Sequence, residues 1–195
     1  MISIIIPYVR PKGLDRLLTS IRALKDKPEI EIIAEEDKER IGCPKMVKRL
    51  VDKSKYDLVC FLADDCVIKA GFFKKGLKRM SELLDGWGLI SYSDGWNDPF
   101  EKASHWLANK KLLPYLDGEF FHTGFIHNRC DKDLADRVKL LIGRYGYIED
   151  QLIIHYHPSH FNADTDEFYQ WANRPKYLEH DRLLYRKREA ERNAR

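Results

Sequence analysis

The first ninety residues alternate between continuous apolar runs and apolar positions spaced three and four apart. Residues 2–6, closed by Pro7, form a β-branched run of the kind that builds a strand buried on both faces. Leu14, Leu17, Leu18, Ile21 and Leu24 then recur at helical spacing. Residues 30–34 predict a second strand. Pro44, Met46, Val47, Leu50 and Val51 predict a helix with its proline in the first turn. A third apolar run covers residues 58–63, Phe73, Leu77, Met80 and Leu84 mark a third helix, and residues 89–92 a fourth strand. Beyond Trp96 the alternation weakens. The pattern there predicts a short helix around 110–116, a helix over 131–142 carrying Leu134, Val138, Leu141 and Ile142, and a last strand over 147–155.

This order predicts an α/β fold, a mostly parallel sheet flanked by helices. Right-handed crossovers put the carboxyl ends of parallel strands on one edge, where ligands bind. The residues just past each strand are therefore the ones to read for chemistry. They are Pro7-Tyr8-Val9-Arg10, Glu35-Glu36-Asp37 and Asp64-Asp65.

Composition narrows the class. A chain of 195 residues suits one domain, or one domain with a trailing segment. The net charge of +3 is concentrated at the end, where residues 174–195 hold eight Lys/Arg against four Asp/Glu. The near-neutral remainder lacks a nucleic-acid binder's basic footprint, so no nucleic-acid partner is predicted. The tail reads as a solvated, basic, partly helical end that frays. The four cysteines contain no C-x-x-C pair and read as free thiols in a reducing compartment. No leader pattern and no run near the ~20 apolar residues of a membrane span is present, so the expected location is the cytoplasm. Nothing in the sequence speaks to oligomeric state.

Several familiar chemistries are missing: no G-x-x-x-x-G-K-[ST], no G-x-G-x-x-G after the first strand, no G-x-S-x-G and no H-E-x-x-H. What remains is carboxylate and imidazole chemistry. Asp64 and Asp65 follow an apolar strand, where two adjacent carboxylates repel unless a cation sits between them. A hard divalent ion does this and also binds phosphate oxygens. The alternative is that one carboxylate caps a turn while the other is solvated. His155, His157 and His160 fall within six residues, and His155 and His157, two apart on a strand, point the same way, as metal ligands or a core pair would. Asp, Asp and His around one ion suit Mn²⁺ or Mg²⁺. Asp131 falls near a helix start, where the dipole stabilises an anion, and the segment before it, with His122 and His127, suits an acceptor pocket. For Asp133 or Asp136 alone an N-cap is the simpler reading.

Taken in order, these pieces resemble an inverting family 2 glycosyltransferase of the GT-A fold. Ser3-Ile-Ile-Ile-Pro-Tyr-Val-Arg10 resembles the family's opening strand and turn. Glu31-Ile-Ile-Ala-Glu-Glu-Asp37 resembles its second strand, whose acidic end contacts the base. Phe61-Leu-Ala-Asp-Asp-Cys-Val-Ile-Lys-Ala-Gly71 resembles the metal-binding D-x-D region, with Ala63 at its first position. Asp131-Lys-Asp-Leu-Ala-Asp-Arg137 resembles the E-D-x-D-L-x-x-R motif, with Cys130 in place of the Glu, and Ile153-Ile-His155 resembles the strand carrying the last metal-ligand His.

The resemblance covers about residues 2–160 and implies a compact, metal-dependent glycosyltransferase. The donor would be a nucleoside diphosphate sugar, with a UDP-sugar the first choice, and the acceptor a glycan or other hydroxyl. It implies a catalytic domain over 1–160, with a Rossmann-like nucleotide-sugar half over 1–95, an acceptor half over 96–160, and a C-terminal extension over 161–195. Asp131 would be the base. Asp64, Asp65, His155 and His157 would hold Mn²⁺ or Mg²⁺. Pro7, Tyr8, Arg10, Glu36, Asp37 and Lys45 would seat the nucleotide, with His122, His127 and Asp133 on the acceptor side. A nucleotidyltransferase of related topology would also use strand-end carboxylates and a metal. A non-catalytic nucleotide- or glycan-binding module is the reading from a different class.

Overall fold

The computed structural model describes residues 1–160 and 163–194, the side chain of His160 excepted. The reading of His160 therefore lies outside the described residues. The chain runs β1 (Ile2–Tyr8), α1 (Pro11–Ala23), β2 (Ile30–Glu36), α2 (Cys43–Lys53), β3 (Leu58–Phe61), β4 (Cys66–Ile68), α3 (Phe72–Ser81), β5 (Leu89–Tyr92) and β6 (Trp106–Asn109). It continues through α4 (Cys130–Arg137), β7 (Tyr145–Ile148), β8 (Ile153–His155), α5 (Glu167–Ala172) and α6 (Pro175–Asn193). A six-stranded sheet has the order β2-β1-β3-β6-β5-β7, and β4 and β8 form a separate antiparallel pair. Within the large sheet β1 runs parallel to β2 and β3, and β5 parallel to β7. Only β6 is reversed, antiparallel to both β3 and β5.

The alternation of β1 explains the layering. Ile5 faces a core with Val47, Leu50 and Val51 of α2 and Leu134 of α4. Ile4 and Ile6 face the opposite core, with Leu17 and Ile21 of α1 and Phe72, Phe73 and Met80 of α3. A strand buried on both sides needs apolar residues at every position, which is why its sequence reads as a continuous run.

Several expectations are corrected. The single last strand over 147–155 is two strands in two sheets, because Glu149-Asp150-Gln151 interrupts the apolar run. The 131–142 helix is α4 over Cys130–Arg137, followed by a π turn at Val138–Ile142. The short helix near 110–116 is 3-10 over Lys110–Tyr115, with Pro114 inside it. The C-terminal segment over 175–193 is not a loose end: α6 docks on α4 through Tyr185, which bonds Asp136, and through Arg188 and Arg192, which reach Asp133, while buried Asp181 accepts the Ile126, His127 and Asn128 amides. Among the described residues no helix is long and apolar enough to cross a membrane.

Candidate active site

The carboxyl ends of β1 and β3 deliver Arg10 and the Asp64–Asp65 pair to one rim. Asp64 is buried and belongs to the turn after β1. Its Oδ2 accepts the Val9 and Arg10 amides at 2.7 Å each, and its Oδ1 accepts Arg10 Nη1 at 2.9 Å. The same guanidinium reaches Asp65 Oδ2 at 3.4 Å and donates through Nε to Asp166. A cation the sequence argument required between the two carboxylates is thus Arg10 itself. Gly13 lets this happen: a Cβ there would lie 2.4 Å from the Asp64 carbonyl oxygen, so α1 approaches the loop only with glycine at that position.

Asp65 faces the other way. Its Oδ1 is buried and accepts no well-aligned hydrogen bond, although His155 Nε2 lies 3.3 Å away. His155 Nδ1 is 2.8 Å from Asp94 Oδ2. Asp94 is fully buried and also accepts the Trp96 and Asn97 amides. His105 completes the cluster, 1% exposed and with neither ring nitrogen partnered. Asp94, His105 and His155 each bring a ligand atom within 4.8 Å of the others'.

Electrostatics follow from this packing. Burial opposes charging of His155, but the carboxylates of Asp65 and Asp94 on either side of the ring outweigh that and raise its pKa to about 9. For His105 burial dominates, holding it neutral with a pKa of about 4. Burial opposes ionisation of Asp65 and Asp94, yet the His155 contact pulls both well below the ordinary carboxylate value. Two ionised carboxylates and a neutral imidazole, with an orphaned oxygen and two orphaned ring nitrogens, are a donor set that fits a divalent metal.

Asp131 stands nearby, linked through the chain itself. Its Oδ2 accepts Ser104 Oγ at 3.0 Å, and Ser104 directly precedes His105. Cys130, at the motif's Glu position, is buried and donates to the His127 carbonyl. A cleft of about 350 Å³ opens over this rim, lined by Tyr8, Asp37, Asp65, His127, Asp131 and His155 among others.

The structure brings Pro7, Tyr8, Arg10, Asp37, Asp64, Asp65, His127, Asp131, His155 and His157 to that cleft. Asp37 uses its carboxylate to accept the Ile41 and Gly42 amides ahead of α2. Four other expected residues lie elsewhere. Lys45 is exposed and off the cleft, because it is one helical step, about 100°, from Met46, which lines it. Glu36 pairs with Lys38 at 3.6 Å. His122 sits 3.9 Å from Glu119, with its Nδ1 accepting the Gly124 amide. Asp133 is fully buried and ion-paired with Arg137, Arg188 and Arg192.

Two members of the buried Asp–His cluster escaped the sequence reading. Asp94 lies just past β5, so the strand-end rule applied to the fourth strand would have found it. His105 precedes β6, and its position at the rim follows only once β6 is known to be reversed. Phe168 and Tyr169 of α5 also line the cleft and gave no signal beyond being aromatic.

No protein-family model matches the sequence, and no curated protein does. Solved structures do match. Residues 1–349 of S. aureus TarS superpose with a TM-score of 0.63 at 16% identity, over 87% of this chain and 68% of that one. The chain has the GT-A fold. A mannosyltransferase from Pyrobaculum calidifontis, in complex with GDP-Man and Mn²⁺, gives 0.64 at 14% identity, over 79% of this chain and 56% of that one. Glucosyl-3-phosphoglycerate synthase from Mycobacterium tuberculosis, with Mn²⁺, UDP and phosphoglyceric acid, gives 0.58 at 13%, over 80% and 71%.

Proposed function

We propose that the chain is a metal-dependent glycosyltransferase of family 2 type, moving a sugar from a nucleoside diphosphate sugar, first of all a UDP-sugar, to an acceptor hydroxyl with inversion. One observation carries this reading. Consecutive residues Ser104 and His105 join the Asp131 carboxylate to the Asp94–His105–His155 cluster, so a proton acceptor and the donor groups of Asp65, His105 and His155 line one cleft, with Asp94 buried behind His155. The GT-A fold supports it, and so do UDP-GlcNAc, UDP and GDP-Man in its structural neighbours.

Asp65, Asp94, His105 and His155 would hold a divalent cation, Mn²⁺ or Mg²⁺, which when bound supplies positive charge to the leaving diphosphate. Pro7, Tyr8 and Asp37 would flank the nucleoside, with residues 1–95 as the donor half and 96–160 as the acceptor half. Arg10 orders the donor side by fixing Asp64 and reaching Asp166. Asp131 takes the proton of the acceptor hydroxyl as that oxygen bonds the anomeric carbon. The bond from that carbon to the diphosphate oxygen breaks on the opposite face, its electron pair leaving with the diphosphate, and the anomeric configuration inverts.

The test is consumption of a panel of nucleotide sugars with Mn²⁺, read as release of nucleoside diphosphate. Release from at least one donor is expected. Tight nucleotide binding with no release from any donor, with and without added acceptors, would leave a binding module instead.

A further inference from the structure

Past Asp131 the cleft continues into a second groove of about 600 Å³, whose walls carry Lys102, Arg129, Lys132 and Arg182 against Glu179 and Asp131. Four cations meet there on a chain whose net charge is only +3. They are not equally neutralised. Arg182 forms a two-bond pair with Glu179 at 2.7 and 2.5 Å, and Lys132 lies 3.8 Å from Asp136. Lys102 donates to the neutral Asn97 Oδ1 at 3.1 Å, and the Arg129 guanidinium lies over the Tyr185 ring at 5.8 Å. Among the described residues neither Lys102 nor Arg129 has a carboxylate within ion-pair distance.

Arg129 is placed at a conformational cost. It occupies the left-handed region at φ 65°, two residues before Asp131, where glycine would fit without strain. Lys102, Arg129 and Asp131 all line the main cleft as well, so the three stand at the junction between the two spaces. With the donor in the main cleft and the acceptor hydroxyl at Asp131, the rest of the acceptor must extend into this groove. An ammonium and a guanidinium without carboxylate partners are the groups that bind phosphate oxygens, the guanidinium through two parallel bonds.

We propose that this groove is the acceptor subsite and that it selects an acceptor bearing a phosphate ester beside the hydroxyl to be glycosylated. This rests on the transferase reading and names the substrate class for the same site.

Calorimetry on the full chain, with UDP and Mn²⁺ present to occupy the donor side, tests it. The ligands are glycerol 3-phosphate, a glycerol phosphodiester and glycerol. At least one phosphate ester is expected to bind while glycerol does not, with affinity falling as salt rises. A free monoester source favours the first ligand and a phosphodiester polymer the second. The double variant Lys102→Gln/Arg129→Gln is expected to weaken binding about tenfold or more, and Lys187→Gln, which removes an exposed charge outside the groove, is expected to leave it unchanged. Arg129→Gly removes the guanidinium while suiting the local backbone, so its loss of binding is not a loss of fold. Equal binding of glycerol and the esters, no binding of either ester, or unchanged affinity in the double variant overturns the proposal. Phosphate-ester binding with no consumption of any nucleotide sugar keeps the groove and removes the transferase reading. Transfer to neutral and phosphorylated acceptors with equal kcat/KM does the reverse.

Discussion

Nδ1 of His155 lies 2.8 Å from Asp94 Oδ2, and that bond fixes which way the ring presents its other nitrogen. Nε2 is thereby left facing Asp65 Oδ1 at 3.3 Å. A carboxylate behind an imidazole, with a second carboxylate in front, is the arrangement that orients a metal-binding histidine and raises its basicity.

The same arrangement couples metal binding to a proton. His155 has a pKa of about 9 in the metal-free chain, so below that value the ring is charged and a metal at Nε2 must displace its proton. Mn²⁺ affinity is therefore expected to rise about tenfold per pH unit and to level off near pH 9. Titrations followed by Mn²⁺ electron paramagnetic resonance, run in buffers from neutral to alkaline, measure this directly. A flat profile would remove His155 from the metal site.

Asp94 and His105 are expected to act on a bound metal in different ways. Asp94→Asn keeps the shape but lets the His155 ring lose its fixed tautomer, while His105→Ala deletes a nitrogen donor that now has no partner. Asp94→Asn is expected to weaken Mn²⁺ binding about 10- to 100-fold, a range typical of groups that orient metal ligands, and His105→Ala, which removes a donor, at least as much. His105→Ala with unchanged Mn²⁺ affinity would make His105 a packing residue only.

Asp131→Asn separates chemistry from binding. Asparagine still receives the Ser104 hydroxyl through its amide oxygen, so that contact is kept while the proposed base is lost. Transfer is expected to fall about 10²- to 10⁴-fold, the usual worth of a general base, with nucleotide affinity unchanged. Single-turnover assays alongside UDP titration give both numbers, and retained transfer would refute the assignment.

What was legible in the sequence follows the hydrophobic effect. The core strands β1, β3 and β5, together with α1 to α3, announce themselves because apolar residues line their buried faces. The rim residues Arg10, Asp65, Asp131 and His155 were reachable by counting from strand and helix ends. Helix α6 was not, because its buried face is polar. Asp181, Tyr185, Arg188 and Arg192 recur at helical spacing, yet hydropathy patterns do not detect charged residues as a core face. Asp181 accepts the Ile126, His127 and Asn128 amides, so a helix read as a loose end secures the loop that leads into Asp131. The single reversed strand β6 was equally hidden, and with it the position of His105.

Gly13→Ala tests the close approach under Asp64. Its methyl would meet the Asp64 carbonyl oxygen at 2.4 Å, which backbone must relieve by moving. The expected cost is about 1–3 kcal/mol of stability, as for other overpacked contacts. Because the displaced segment carries Asp65, Mn²⁺ affinity is expected to fall as well. Thermal unfolding and Mn²⁺ titration on one sample show whether the two losses travel together.

Asp133→Asn tests whether the polar interface of α6 holds the fold. Asp133 Oδ1 lies 3.1 Å from Arg188 and 2.5 Å from Arg192, and its Oδ2 lies 2.9 Å from Arg137 Nε, though poorly aligned for a hydrogen bond. Burial opposes its ionisation, but the three guanidinium groups outweigh that and hold its pKa below the ordinary carboxylate value. A depressed native pKa means stabilisation that is complete above the unfolded-state value of about 3.9 and is lost as pH falls below it toward the native value. Removing the charge leaves buried Arg137 uncompensated, at a cost of about 3–5 kcal/mol near neutral pH. Denaturant unfolding of both proteins is therefore expected to show a wide stability gap at neutral pH that narrows as the acid limit is approached. A gap independent of pH would mean that asparagine disturbs packing and that the charge of Asp133 contributes little.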